Sequence, residues 1–184
     1  MTENMEQKKI VQRIPLPWAV SIVVVFSLPF GLFLGKFNFP LWVAFIVWAE
    51  YFVFGATAST WKLVIPCIPA GAAAAAVWMA TTTAITTGFG LHMFWGLAIG
   101  NFIWVTTLLY IVPRVPVFSK GILAIFNGFT LVLAVYFTSS IPKVGAMEDA
   151  YWVIVLTFIW TTLISYFGWF LGWLSVSITF PKKV

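Results

Sequence analysis

From Leu16 to Phe180 the chain runs in long apolar blocks, broken only by short clusters of Gly, Pro, Asn, Lys, Arg and acidic residues. A helix that crosses a bilayer needs about 20 mostly apolar residues. The breaks divide the chain into six predicted spans: Leu16–Gly35, Pro40–Ser59, Leu63–Thr87, Leu91–Val112, Gly121–Ser140 and Tyr151–Phe180. Pro113-Arg114-Val115-Pro116 cannot continue a helix, and Ile141 to Asp149 forms the longest polar loop. The segments lack the apolar/polar alternation of barrel strands, so helices are predicted. The sixth span exceeds a perpendicular crossing, which predicts a tilt or an interfacial end. The expected fold is an all-α integral membrane protein of about six transmembrane helices, with 1–15 as N-terminal tail, 16–180 as membrane domain and 181–184 as C-terminal tail.

Composition agrees with this pattern. Sixty-two per cent of the residues are hydrophobic and 8% are charged, and the mean hydropathy is +1.03. A soluble domain could not be given a charged surface from this set. With the N-terminus cytoplasmic, Lys8, Lys9, Arg13, Lys62, Arg114, Lys120, Lys182 and Lys183 lie inside and only Lys36 and Lys143 outside. That bias predicts an N-in, C-in topology. The net charge of +5 then reports topology and contact with anionic headgroups rather than nucleic acid. The first apolar run exceeds a signal-peptide core and no small-residue cleavage site follows, so it is read as a retained span.

Six spans divide into three plus three, and an odd number per half gives the halves opposite orientations, as in an inverted repeat. Glycines four apart, which allow close helix approach, occur at Gly31/Gly35, Gly96/Gly100 and Gly168/Gly172. These pairs predict a homo-oligomer. The third span holds Ala70-Gly71 and five further alanines, a thin surface that predicts a central place or an oligomer seam. Pro66 and Pro69 in it free backbone carbonyls that a neighbour must satisfy. Thr81, Thr82, Thr83, Thr86 and Thr87 either bond back to the preceding turn or line a polar outer vestibule.

Glu50 is the only acid within a predicted span. Its neighbours three and four positions away, Ile46, Val47, Val53 and Phe54, are apolar, so its carboxyl must find a donor or hold a proton. It is either a tie between helices or a functional centre. Asn101 and Asn127 are its candidate partners, with helix–helix hydrogen bonding as the alternative for each. Of the deep aromatic residues, Trp48 and Trp104 either fill helix interfaces or line a solute route. His92 is either an interfacial side chain or a pH sensor. Cys67, the sole cysteine, reads as a small packed hydrophobe. No metal, haem, di-iron, phosphate-loop or triad pattern is present, so neither a cofactor nor enzymatic activity is expected.

The stretch Trp48-Ala-Glu-Tyr-Phe-Val-Phe-Gly55, with Trp61-Lys-Leu-Val-Ile-Pro66 and the Ala/Gly-rich third span, resembles the small bacterial inner-membrane proteins of domain-of-unknown-function family 1097. That resemblance implies a bacterial inner-membrane location and no particular activity. In size and span count the chain is also similar to acid-gated urea channels and to the substrate-binding subunits of energy-coupling-factor vitamin transporters. The expected function is a channel or facilitator for a small polar or weakly charged solute, with Glu50 in the pathway. The rivals are a solute-binding subunit of a larger transporter and an accessory subunit of a membrane complex.

Overall fold

A computed structural model describes residues 12–34 and 37–180. Its α-helices are α1 Leu16–Phe33, α2 Leu41–Val53, α3 Trp61–Phe89, α4 Met93–Ile111, α5 Pro116–Lys120, α6 Ile122–Phe137 and α7 Ala150–Thr179, and no strand occurs among the described residues. The predicted contributions of Gly35, Lys36, the first eleven residues and the last four lie outside the described residues.

Four helices (α1, α3, α4 and α7) are long and apolar enough to cross a membrane. The predicted second and fifth spans hold shorter helices, α2 of 13 residues and α6 of 16. Both stop early for the same reason. Gly55 (φ 91°) and Ala56 (φ 53°) turn α2 into the left-handed region, and Ser139 (φ 52°) does the same to α6. Such a residue closes a helix by returning amides to its last carbonyls. Ala56 N–H donates to the Tyr51 carbonyl and Ser140 N–H to that of Val135. By contrast, α7 is one continuous helix of 30 residues, about 45 Å long, begun by the Asp149 carboxylate accepting from Tyr151 N–H at 2.8 Å.

The centre of the bundle is α3 against α7. α3 also carries α4, α5 and α6, and α7 carries α1, α2 and α6. Glycines set the closest approaches. A Cβ on Gly71 would overlap the Ile125 carbonyl, and one on Gly128 the Ile68 carbonyl. Gly168 meets the Ala44 carbonyl of α2, and Gly172 meets the Tyr51 ring. Gly96 and Gly100 of α4 receive Thr86 and Trp78 of α3. These last two glycine pairs are therefore filled within one chain, which removes them as grounds for an oligomer.

Proline chemistry explains another contact. Pro69 cannot donate to the carbonyl of Ile65, and the Tyr166 hydroxyl of α7 donates to it at 2.9 Å.

The described basic residues fall at two ends of the bundle. Arg13 N–H donates to the Thr179 carbonyl, and the Cys67 thiol to that of Val117 at 3.5 Å. Arg13, Lys62, Arg114 and Lys120 therefore gather at one end of the bundle. Asn38 donates to the Ser139 carbonyl at 2.7 Å, which puts Lys143 at the other.

Candidate functional site

Glu50 lies in the last turn of α2, toward the Arg/Lys-rich end, because the helix ends at Val53. The residue is 2% exposed. Asn127 of α6 donates its amide N–H to Oε2 at 2.8 Å, so one of the two predicted partners is in place. Oε1 is buried with no hydrogen-bond partner. A buried carboxyl oxygen without a donor costs about 1 to 3 kcal/mol.

Asn101 is not at this site. It is exposed on α4, a helix whose buried residues are Gly96, Gly100 and Leu108. Helical spacing alone could not reveal this, because Asn101 stands beside Gly100 yet faces away from α3.

The tryptophans act mainly as ties. Trp48 Nε1–H donates to Ser175 Oγ at 3.2 Å, Trp104 Nε1–H to Thr81 Oγ1 at 2.9 Å and Trp78 Nε1–H to the Leu97 carbonyl at 3.0 Å. With those donors used inside the chain, Trp48 and Trp104 bind helices together rather than offering an indole N–H to a solute. His92 caps α4: its Nδ1 accepts from Phe94 N–H at 3.2 Å.

The threonine hydroxyls are bonded to backbone carbonyls, and three of the threonines also border a recess. Thr81, Thr83, Thr86 and Thr87 bond back to carbonyls of the preceding turn, while Thr82 crosses to the Gly96 carbonyl at 3.2 Å. At the same time Thr82, Thr83 and Thr86 line a recess of about 160 Å³ with Met79, Leu97 and Tyr136. A larger recess of about 740 Å³ sits at the Lys143 end, lined in part by Ser139, Lys143, Glu148 and Met147. The two share Met93, Tyr136 and Phe137, so they adjoin at one end of the bundle and together form its vestibule. It exists because α6 stops at Phe137 while α3 and α7 continue beside it.

The vestibule does not reach Glu50. Below it Trp78 and Phe129 stack 5.6 Å apart and 5° from parallel. Ala72, Ala75, Ile68 and Ile125, all fully buried, fill the space beyond. From Met79 at the floor to Ile68, against which Gly128 packs, is about 16 Å along α3. The vestibule and Glu50 are thus at opposite ends of the bundle, with an apolar seal between.

One feature was overlooked in the sequence. Along α7 the residues Thr157, Thr161, Ser165, Gly168, Gly172, Ser175 and Thr179 are all buried. They recur at steps of three and four, one face of a helix, and the step pattern was the available signal. Thr161 Oγ1 and Ser165 Oγ on this face have no hydrogen-bond partner.

Among the described residues no group of His, Cys, Asp and Glu could hold a metal ion. Comparison with family models, with curated proteins and with solved structures yields no match.

Proposed function

We infer that the chain is a carrier-type facilitator for a small polar solute, with α1, α2, α3, α4, α6 and α7 as six spans, N-in and C-in. The observation that carries this reading is a correspondence between the two halves. The helices have 18, 13 and 29 residues in the first half and 19, 16 and 30 in the second. Exchanging the halves turns the α2–α7 packing into α6–α3 and the α1–α7 packing into α4–α3, and leaves α3–α7 unchanged. Even the helix ends correspond, since Tyr51/Ala56 and Val135/Ser140 are bonded in the same way. The correspondence is broken where α6 also meets α7 and where α1 meets α2 with no matching α4–α6 packing.

Inverted repeats support alternating access, because exchanging the conformations of the halves turns an outward-open protein into an inward-open one. The vestibule between α3, α4 and α6 then has its counterpart between α7, α1 and α2, where the Trp48–Ser175 hydrogen bond closes the inner end. Glu50, with its free Oε1, sits beside that inner closure as the group that meets a solute or a proton. The small α7 face brings α2 into close contact, with Gly168 against the Ala44 carbonyl and Gly172 against the Tyr51 ring. A family-1097-like protein would do this in a bacterial inner membrane. The apolar seal also fits an accessory subunit without transport activity, and flux separates the two.

Thr83→Trp fills the narrow part of the vestibule. In proteoliposomes screened with small polar solutes it is expected to lower uptake at least tenfold, about 1.4 kcal/mol, without loss of folded protein. Wild-type protein without flux for any solute would favour the accessory reading. Orientation is checked in a Cys67→Ala background: an impermeant thiol reagent added outside is expected to label Ala146→Cys and spare Ser119→Cys.

A further inference from the structure

Asn101 carries an observation that the carrier reading leaves unused. Of the described asparagines, Asn38 and Asn127 each donate to a partner in the chain. Asn101 does not, and it is exposed. It lies near the middle of a 22-residue apolar span, Met93–Arg114, about 12 Å from the nearer end. In hydrocarbon no water reaches that depth, and two amide donors and a carbonyl acceptor have nothing to bond.

We propose that a second copy of this chain packs along α4, with the two Asn101 side chains hydrogen-bonded to each other across a two-fold axis. Two considerations select this occupant over lipid or another protein. Copies inserted with the same topology are related by an axis along the membrane normal, so identical residues meet at identical depth. The amide is self-complementary, its N–H of one copy matching the carbonyl of the other. Lipid tails offer no such group.

The surroundings fit a helix seam. Phe94, Ala98 and Asn101 are exposed and Val105 is half-buried, and they follow one another by four, three and four residues. That spacing keeps one face toward a parallel neighbour, and a single polar residue in such a seam fixes register and partner number. Ala98 leaves room beside the amide for close approach. α4 otherwise leans on α3 and the short turn after it, so this face is free to be covered. The seam stands whether or not the chain transports anything.

The test uses the full chain in nanodiscs and in liposomes at low protein-to-lipid ratio, in a Cys67→Ala background. Single-molecule photobleaching is expected to count two copies for the parent and for Asn101→Gln. Asn101→Leu is expected to dimerise roughly tenfold more weakly. Under oxidant, Ala98→Cys is expected to form a cross-linked dimer, while Ile103→Cys, at 44% exposure on the opposite side of α4, is not. Equal dimerisation of Asn101→Leu and parent, a monomeric parent, or equal cross-linking at both positions would overturn the proposal.

Discussion

Glu50→Gln is expected to reach wild-type folded yield and to lose solute flux by at least tenfold, about 1.4 kcal/mol on the rate-limiting barrier. Gln keeps the size of the side chain and an oxygen for the Asn127 N–H, now 2.8 Å from Oε2, but cannot take up or release a proton. Glu50→Ala is expected to lose stability as well, by about 1 to 3 kcal/mol, because the Asn127 amide is then left unpaired in an apolar setting. Flux in proteoliposomes and thermal unfolding in detergent separate the two effects. Full flux with an unchanged pH response in Glu50→Gln would remove this carboxyl from the mechanism and leave it as a tie between α2 and α6. A stable Glu50→Ala variant would show that Asn127 finds another partner when its acceptor is removed.

The largest loss of folded protein is expected from Gly128→Val. The first atom added at this position would overlap the Ile68 carbonyl, and its counterpart at Gly71 would overlap that of Ile125. Backbone cannot rotate away as a side chain can, so α3 and α6 must separate along their whole contact. Overpacking of this kind costs about 3 kcal/mol or more. Gly88→Ala provides the control. It lies in the last turn of the partner helix α3, has nothing within 4 Å of the added atom, and is expected to be neutral or stabilising by up to about 0.5 kcal/mol from helix propensity. Thermal aggregation of the two purified variants measures the contrast. Comparable behaviour would mean that the α3–α6 contact tolerates separation.

Much of the architecture was legible because hydrocarbon imposes a simple rule on sequence. The ends of α1, α3, α4 and α7 fall close to the predicted breaks, and the sharing of one end by Arg13, Lys62, Arg114 and Lys120 follows from span parity. The short lengths of α2 and α6 were not legible. Apolar residues continue past Val53 and Phe137 and mask the stops, which are the left-handed Gly55 and Ser139; Gly55 was the available signal for α2, while Ser139 alone does not announce a left-handed residue. The site was half legible. Glu50 was conspicuous as a lone acid, and Asn127 was one of two amides at a plausible depth. Choosing Asn127 over Asn101 requires knowing that α6, and not α4, lies against the end of α2. That contact joins residues 77 positions apart, beyond any local pattern. The glycine pairs misled for a related reason: their spacing announces a close neighbour without saying whether it belongs to the same chain.

The two short helices also have a consequence for the surrounding lipid. α2 and α6 extend only about 20 and 24 Å, against a hydrocarbon thickness of about 30 Å. Val53 is 69% exposed and Phe137 54% exposed, so the ends of both helices face outward. On the proposed six-span reading, the leaflets beside α2 and α6 compress to keep the following polar turns in water, while those beside α3 and α7 need not. The protein would then carry a pinched annulus, thin on two sides and full on the others. A rearrangement that changed the tilt of α2 or α6 would do work against the elasticity of that annulus, making acyl-chain length a mechanical input to the molecule.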